Sequence, residues 1–588
     1  WKVACCRSSG PDGPDMTDEH NVPLMASLHA LLRSQADRCP DSPALLAPDC
    51  QPLDYSRLFK QVEYTGRALA AQGITRTDRV AVVLPNGPDM AAAFLGIASY
   101  ATCAPLNPSY PRDQFGFYLD DLQAKAIVLP ADADTPAREV AGQLGITIIE
   151  LESSSNRPNG AFTLRGLPAD VDAQHDCGVA EDCALVLHTS GTTSRPKQVP
   201  LSQRNLLSSA HAVARTLALT GDDRCLNAMP LFHIHGLVGA LLSSVHAGAS
   251  VVCPECYEEE SFSRAMGEFS PTWYTAVPTI HQSILALADR NPSLARDHRL
   301  RFIRSSSSSL PPAVMGALEK RFRVPVIESY GMTEAAHQMA SNPLPPAERK
   351  PGSVGLPAGP DMAVMDDDGN LLAPGETGEI VIRGDNVTAG YANNPEANAE
   401  SFTNGWFRTG DLGHTDDNGY FYITGRSREM INRGGETIAP REIDDALLEH
   451  PAVAQAVAFS VPHPSLGEDV AAAVVLQAAN DASEEELRMF AFERLAPAKV
   501  PSHIITVTTI PKGPTGKIRR IGLHELLKEQ LQQTYVGPRT DLERTVVTAI
   551  ERVLNTGHVG VMDNFFALGG DSIQALSLIH ISEPTRLQ

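Results

Sequence analysis

The sequence predicts a multidomain protein of the α/β class whose first and largest unit contains largely parallel sheet. Its 588 residues correspond to about three or four folding units at roughly 150 residues per domain. Short β-branched runs alternate with helical segments as far as about residue 355, a pattern typical of parallel sheet. Beyond that point, closely spaced turn pairs and a second, smaller set of strands and helices indicate further units.

The strands of the first unit are apolar runs flanked by helical or turn sequence. We predict them at 79–86, 124–131, 146–151, 183–191, 249–254, 301–306 and 324–331. Residues 89–108 have helical character and end at a proline. Ligands bind at the carboxyl ends of parallel strands, so we expect functional residues in the loops that follow them.

Turn pairs mark the change of architecture after residue 355. Asp368-Gly369, Pro374-Gly375 and Asn418-Gly419 separate short alternating runs, which predicts antiparallel hairpins. From Arg426 onward we predict a smaller α/β unit, with helices at 441–450 and 483–495 and strands at 453–462 and 470–477. A polar stretch then precedes a last amphipathic helix at 541–554.

Composition excludes several classes of protein. With 48 Lys plus Arg against 70 Asp plus Glu, the net charge is −22, which argues against a nucleic-acid-binding surface. Ten dispersed cysteines favour reduced thiols and a cytoplasmic location, with a peroxisomal location as the alternative. The longest stretch without charged residues, between Arg224 and Glu255, contains Pro230, several glycines and several histidines, so we expect buried core and no integral membrane segment.

The amino-terminal residues 1–24 differ in composition from the segment that follows. They are rich in Gly, Pro and Asp, and the first methionines are Met16 and Met25. We expect a disordered leader or translated sequence outside the functional protein. The segment has no apolar core of the kind a signal peptide requires.

The first chemical motif runs from His188 to Lys197, H-T-S-G-T-T-S-R-P-K, directly after a predicted strand. Its five hydroxyl side chains and its backbone amides can donate to phosphate oxygens, and Lys197 adds a positive charge. The spacing of a Walker loop is absent. A polar surface loop is the alternative interpretation of this composition.

Together with five further motifs in order, this segment resembles the adenylate-forming superfamily of acyl-CoA synthetases, luciferases and peptide-synthetase adenylation domains. The resemblance covers about residues 25 to 530, and its other motifs are YGMTE (330–334), GEIVIRGDNVTAGY (378–391), WFRTGD (406–411), GRSRE with NRGGE (425–436) and PTGK (514–517). PLFHIHG (230–236) and TEAAHQM (333–339) look closest to the peroxisomal-type small-acid ligases, which include plant oxalate–CoA ligase. The resemblance implies a large domain at 25–424, with parallel sheets and a distorted β-barrel, and a small mobile α/β lid domain at 425–530.

The family's reaction uses ATP to convert a carboxylate into an acyl-adenylate, with release of pyrophosphate, before a thiol attacks. The resemblance implies ATP, Mg²⁺ and CoA as cofactors, with Glu334 and Thr189 toward the metal. Asp411 would accept hydrogen bonds from the ribose hydroxyls, although a simple turn aspartate is the alternative. The implied nucleotide-binding residues are Thr189, Ser190, Gly191, Thr192, Thr193, Lys197, Tyr330, Gly331, Met332, Thr333, Asp411 and Arg426.

The remaining catalytic roles are implied by position in the motifs. Lys517 would stabilise the charge that develops during adenylation, on a loop that the mobile domain delivers and later removes. Glu334 and His233 complete the implied catalytic set, and Arg428 occupies the hinge position. The implied thiol tunnel contains Arg433, Gly434 and Gly435.

Polar residues from three places suggest the acid-binding site. We assign His233, His235, Arg304, Ser307 and His337 to a small, charged acid such as oxalate. Core or gating histidines are the alternative. At the level of function, the alternatives are a fatty-acyl or aryl ligase, a peptide-synthetase-type loading module, and a catalytically silent nucleotide-binding scaffold.

Three features depart from the family pattern. Ser194 and Gln198 occupy positions where the family commonly has glycine, so we expect a stiffer loop. Cys253 and Cys256 form a CxxC pair without a second pair or nearby histidine ligands, which argues against a zinc site.

The last segment, DNFFALGGDS (563–572), resembles a phosphopantetheine carrier with Ser572 as the attachment site. We expect an incomplete carrier domain at 538–588, because only 16 residues follow Ser572 and a helical bundle needs more. The final residues, SLIHISEPTRLQ, lack carrier patterning. A carrier arm would compete with CoA as acceptor, and assembly-line domains could follow.

Overall fold

The computed structural model describes residues 25–153, 160–167, 173–189, 196–463, 466–477, 481–511, 520–531, 537–554, 557, 559–561 and 565. In these ranges the helices are α1 Leu28–Arg38, α2 Tyr55–Ala71, α3 Pro88–Tyr100, α4 Arg112–Leu122, α5 Pro136–Leu144, α6 Gln203–Thr216, α7 Ser243–Ala247, α8 Glu259–Phe269, α9 Pro278–Arg290, α10 Pro312–Phe322, α11 Pro395–Ser401, α12 Pro440–Leu448, α13 Glu484–Phe492, α14 Leu523–Leu526, α15 Lys528–Leu531 and α16 Asp541–Leu554. A π-helical segment, His235–Leu242, precedes α7, and short 3₁₀ turns lie at Thr333–Ala335, Ser427–Glu429 and Pro497–Lys499.

The strands in the same ranges form four sheets. They are β1 Pro43–Leu46, β2 Leu53–Asp54, β3 Arg79–Val82, β4 Thr102–Pro105, β5 Ala126–Pro130, β6 Thr147–Ser153, β7 Phe162–Leu164, β8 Cys183–Thr189, β9 Lys197–Ser202, β10 Arg224–Asn227, β11 Ser250–Val252, β12 Trp273–Ala276, β13 Phe302–Ser305, β14 Val326–Met332, β15 His337–Ser341, β16 Leu356–Pro357, β17 Asp361–Met365, β18 Gly378–Arg383, β19 Phe402–Thr403, β20 Trp406–Thr415, β21 Phe421–Arg426, β22 Ile431–Arg433, β23 Glu436–Ile438, β24 Val453–His463, β25 Gly467–Leu476 and β26 His503–Thr506.

Two sheets with parallel centres form the first unit. One has the order β7-β6-β5-β3-β4-β8-β9, with β7 and β9 as antiparallel edges. The other has the order β16-β15-β14-β13-β12-β10-β11-β1-β2, and its central strands β1 and β10 to β14 run parallel. The predicted α/β class is therefore confirmed, and the predicted strands lie within these sheets.

Helix α3 joins the two sheets. It contacts β4 and β8 of one sheet and β1 of the other, and its residues from Met90 to Tyr100 are buried. A helix that is apolar on all faces requires such a position. The predicted helical stretch 89–108 was too long, because Ala101 is extended and residues 102–105 form the buried strand β4, which pairs with β3.

Antiparallel pairing begins where the turn pairs predicted it. Strands β17, β18, β20 and β19 form one sheet, to which β21 adds by pairing with β20. Gly419 has a φ of 81°, which glycine adopts without strain in the turn before β21. These five strands and the two parallel-centred sheets are called the large domain below.

Strands β22 to β26 form a separate, smaller sheet, called the small domain together with α12 and α13. Its order is β23-β22-β25-β24, with β26 parallel to β25, and it has a core of its own around Ile431, Ile443 and Val470. The predicted α/β unit after Arg426 is thus present. The domain limits 25–424 and 425–530 stay predictions.

The carboxyl-terminal prediction is met only in part by the described residues. Helix α16 occupies the predicted segment 541–554. Ser572 and most of the proposed carrier motif lie outside the described residues, as does the leader 1–24. In the part of the chain that is described, the helices are too short or too polar to cross a membrane. The cytoplasmic location stays a prediction.

Candidate active site

A cavity of about 740 Å³ lies between the large domain and the small domain. Its volume falls within the range typical of small-molecule sites, about 300–1,000 Å³. The carboxyl ends of β8, β13 and β14 open into it, as expected for a sheet with a parallel centre. The predicted residues that line it are Thr189, Lys197, His233, Ser307, Tyr330, Gly331, Met332, Thr333, Glu334, Asp411, Arg426 and Arg428.

The predicted phosphate loop joins two paired strands. Thr189 ends β8, Lys197 begins β9, and the two residues are register partners. The ammonium of Lys197 lies 4.4 Å from the ring centroid of Tyr391, a cation–π contact. Of the other predicted loop residues, Ser190, Gly191, Thr192 and Thr193 lie outside the described residues.

Glu334 lies in the 3₁₀ turn that follows β14 and is only 6% exposed. The Tyr391 hydroxyl donates to its Oε1 at 2.9 Å. Burial raises the pKa of the Glu334 carboxyl, since the charged form loses water there. Tyr391 was not assigned from sequence, although it is the last residue of the motif at 378–391.

The residues present fit a magnesium ion. Mg²⁺ in nucleotide sites keeps several waters and is bound by one or two carboxylates together with substrate phosphates. Glu334 supplies a buried carboxylate at the cavity, and Thr189 lines the same cavity. These two residues would hold the ion against ATP, and their role stays a prediction.

Asp411 is held on β20 with both carboxylate oxygens engaged. The Tyr330 hydroxyl donates to Oδ2 at 2.5 Å, and Nε of Arg426 donates to Oδ1 at 2.8 Å. A carboxylate offers about four lone-pair sites, so two remain free to accept hydrogen bonds from a ligand. The contacts fix the orientation of a side chain that is 3% exposed, which a simple turn aspartate would not require.

The structure brings together four of the five residues assigned to the acid. Arg304 Nη2 lies 3.0 Å from Nε2 of His337, and Ser307 Oγ lies 3.0 Å from Nδ1 of His235. The rings of His235 and His337 stack with centroids 5.0 Å apart. The absence of a side chain at Gly239 makes room for this stack, because a Cβ there would lie 2.4 Å from Nε2 of His337.

Arg304 is fully buried in this cluster. Among the described residues, no carboxylate lies within ion-pair distance of its guanidinium, and burial lowers its pKa to about 9. Of the five predicted residues, His233 and Ser307 line the cavity, whereas Arg304, His235 and His337 lie directly behind this wall. The cluster therefore places an unbalanced positive charge next to the cavity.

Comparisons with known proteins place this geometry in a family. Residues 32–392 match the model of the AMP-binding enzymes, and residues 442–517 match the model of the AMP-binding enzyme C-terminal domain. The chain belongs to the AMP-binding enzymes.

Individual relatives of this AMP-binding enzyme cover most of its length. It is 43% identical over 504 residues to the probable CoA ligase CCL9 of Humulus lupulus (84% of this chain, 95% of the relative). It is 42% identical over 502 residues to an oxalate–CoA ligase of Arabidopsis thaliana (84% and 97%).

Solved structures agree with the fold of this AMP-binding enzyme. ATP-bound MatB from Rhodopseudomonas palustris has a TM-score of 0.77 at 27% identity, covering 86% of this chain and 100% of that one. O-succinylbenzoate coenzyme A synthetase from Bacillus subtilis, in complex with ATP and magnesium ion, has a TM-score of 0.73 at 29% identity (84% and 98%). The comparisons confirm the predicted family and enzyme class, an AMP-forming acid–thiol ligase.

The small domain of the AMP-binding enzyme closes one side of the cavity. Arg520 bonds to Oδ2 of Asp444 at 2.7 Å and to Oε2 of Glu429 at 3.2 Å, next to the predicted hinge residue Arg428. Lys517 lies outside the described residues, but Arg520, three positions later, lines the cavity.

The predicted thiol tunnel is not part of the cavity wall. Arg433, Gly434 and Gly435 lie on the hairpin of β22 and β23, and Arg433 instead pairs with Asp469 at 2.7 Å. Cys253 is buried and Cys256 exposed, and the described residues contain no group of three or more His, Cys, Asp or Glu side chains that could hold a metal.

Glu328 is a buried carboxylate of the cavity wall that the sequence interpretation did not single out. Glu328 on β14 is 1% exposed, and its Oε1 accepts a hydrogen bond from the backbone N–H of Leu310 at 2.9 Å. Its Oε2 has no hydrogen-bond partner among the described residues. Burial raises the pKa of Glu328 to about 7. Only its position two residues before Tyr330 in the second motif could have drawn attention to it.

Proposed function

We propose that the protein joins a small polar carboxylic acid, such as oxalate, to CoA through an acyl-adenylate formed from ATP. The observation that carries this proposal is the buried Arg304 cluster behind the cavity wall at His233 and Ser307. The resemblance of the chain to an oxalate–CoA ligase over 84% of its length supports the same substrate class.

In the adenylation step, an acid oxygen attacks the α-phosphorus of ATP and pyrophosphate leaves. Thr189 and Lys197 would face the phosphates, and Asp411 would accept from the ribose hydroxyls. A bound magnesium ion would neutralise phosphate charge. Glu334, ionised for that purpose, must overcome the burial that raises its pKa.

Lys517 is the proposed source of positive charge at the reacting oxygens. An ammonium on a mobile loop stabilises charge that develops only in the transition state. Its neighbour Arg520 is anchored to Asp444 on helix α12, at the cavity edge. Movement about Arg428 would then withdraw the loop and admit the thiol, for which Arg433 to Gly435 are the proposed tunnel.

The acid is proposed to be small and polar because polar side chains would surround it. An acid seated at His233 and Ser307 meets imidazole and hydroxyl groups with a guanidinium behind them. An alkyl chain there would offer these groups no further hydrogen bond and would leave the charge of Arg304 unbalanced. An anionic second group on the acid would instead balance the Arg304 charge.

CoA is the proposed acceptor, and a phosphopantetheine arm on Ser572 is the alternative acceptor. Incubation with oxalate, ATP, Mg²⁺ and CoA should yield AMP and an acyl-CoA, both measured by chromatography. AMP production that requires a phosphopantetheinylated Ser572 instead of CoA would favour the loading-module interpretation. ATP binding without turnover on any acid would favour the scaffold.

A further inference from the structure

The base of the phosphate loop is held by one carboxylate. His188 and Gln198 are register partners on β8 and β9, immediately outside the pair Thr189 and Lys197. Nε2 of His188 lies 3.0 Å from Oδ2 of Asp121, and Nε2 of Gln198 donates to the same oxygen at 2.7 Å. Asp121, at the end of helix α4, thus bonds to both strands at the mouth of the loop.

The direction of these hydrogen bonds is fixed by chemistry. Arg79 can only donate, and its Nη1 donates to Oε1 of Gln198 at 3.0 Å. The amide of Gln198 therefore turns its nitrogen toward Asp121, where it also donates to the backbone oxygen at 2.6 Å. The carboxylate of Asp121 only accepts, so His188 donates from Nε2.

The network continues into the proposed phosphate and metal site. The backbone oxygen of Gln198 accepts from the N–H of Ala392 at 3.0 Å. The preceding residue, Tyr391, lies under the ammonium of Lys197 and donates to Glu334. A shift of Gln198 would therefore be transmitted to both Lys197 and Glu334.

A glycine at position 198 could make none of these side-chain hydrogen bonds. Gln198 is 4% exposed, and both its amide oxygen and its amide nitrogen are hydrogen-bonded. Its side chain therefore links helix α4 and strand β3 to the hairpin of β8 and β9.

We propose that Asp121, Gln198 and His188 form a positioning clamp that holds Thr189 and Lys197 in place for the phosphates of ATP before ATP binds. The inference rests on the proposed function, in which these two residues contact the phosphates. Holding these two residues in advance lowers the ordering cost of binding phosphate, and it leaves the contacts to adenine and ribose unchanged.

The test compares the affinity of the full chain for ATP with its affinity for adenosine, measured by calorimetry. Gln198→Gly removes the clamp, and Gln198→Glu keeps the side-chain volume but sets a second carboxylate against Asp121. We expect both variants to bind ATP at least about fivefold more weakly, with adenosine affinity changed less than about twofold. A merely structural role would move both affinities together.

Two further variants separate the clamp from general damage. Asp121→Asn should weaken ATP binding like Gln198→Gly, and the double variant should lose little more, because both remove one shared network. Asp120→Asn is the matched control, since Asp120 is the exposed neighbour. Unchanged ATP affinity in the clamp variants, or equal losses for ATP and adenosine, would overturn the proposal.

These binding measurements do not depend on turnover. An unmodified protein that binds ATP but activates no acid would count against the proposed function while leaving the clamp measurable. An unmodified protein that binds ATP no better than adenosine would contradict the phosphate role of the loop and the clamp with it.

Discussion

Nη2 of Arg304 lies 3.0 Å from Nε2 of His337, and both side chains are buried. A guanidinium has no acceptor, so His337 accepts through Nε2 and carries its proton on Nδ1. His337 is therefore neutral in this arrangement, and the positive charge of the cluster belongs to Arg304. Among the described residues no carboxylate forms an ion pair with Arg304, so an anion bound beside the pair would be stabilised.

Removing the charge of Arg304 should affect acid binding more than the stability of the fold. Arg304→Met keeps much of the volume but removes the charge, and we expect the KM for the acid to rise at least about tenfold. The KM for ATP should change less than about twofold. Removing a buried charge that no carboxylate balances favours folding, whereas losing the hydrogen bonds to His337 and Gln338 opposes it. We therefore expect the free energy of unfolding to fall by at most about 2 kcal/mol.

The matched control is Arg299→Met at an exposed arginine five residues earlier, which should behave like the unmodified enzyme. Steady-state kinetics and denaturant unfolding on both variants provide the measurement. An unchanged acid KM together with a large loss of stability would show that Arg304 is only structural.

Removing the charge of Glu334 should weaken the binding of magnesium. In Glu334→Gln the Tyr391 contact can persist, but the carboxylate for the ion is lost. We expect the Mg²⁺ concentration for half-maximal activity to rise about tenfold and kcat to fall about 100-fold. Glu348→Gln, at an exposed glutamate, is the control. A Mg²⁺ titration that matches the unmodified enzyme would exclude Glu334 as a ligand.

Lys517 should be needed for the first half-reaction only. Lys517→Ala is expected to reduce acid-dependent ATP–pyrophosphate exchange by more than about 100-fold, because the charge at the reacting oxygens is lost. Thioester formation from supplied acyl-adenylate should remain largely intact. Lys528→Ala, at an exposed lysine of α15, should leave both reactions unchanged. Normal exchange in Lys517→Ala would refute this role.

Glu328 should make stability depend on pH. Its folded-state pKa of about 7 lies above the ordinary value of 4.5, so its contribution to stability is complete below pH 4.5 and is lost as pH rises through 7. Glu328→Gln removes this titration and can still accept from Leu310. The variant should gain up to about 3 kcal/mol over the unmodified protein between pH 4.5 and 7 and no more above it.

Urea unfolding at pH 5 and pH 8 measures this difference. A gap between variant and unmodified protein that is the same at both pH values would show that Glu328 ionises normally. A gap that grows with pH confirms the effect of burial.

The local patterns predicted much of the fold. β-Branched runs located the strands of the two large sheets, and the turn pairs located the antiparallel hairpins, because these signals come from neighbouring residues. The boundary inside 89–108 was missed because β4 is short and its partner β3 is more than twenty residues earlier. Pairing between strands this far apart in sequence cannot be predicted from the pattern of neighbouring residues.

In the candidate site, too, the sequence motifs predicted some residues, and others became evident only from the packing. The motifs located Asp411, Glu334 and Lys197 at the cavity. They did not reveal that Arg304 lies behind the wall, since burial depends on how β13 and β15 pack. Nor did they reveal Asp121, whose partners are 67 and 77 residues away in sequence.

The central claim is that ATP is used to activate a small polar acid. ATP–pyrophosphate exchange with oxalate, malonate, acetate, benzoate and a long-chain fatty acid tests it most directly. The account predicts that oxalate or malonate supports exchange with a kcat/KM at least about tenfold above that of benzoate and the fatty acid. Preference for the fatty acid or benzoate, or exchange with none of the acids, would contradict it.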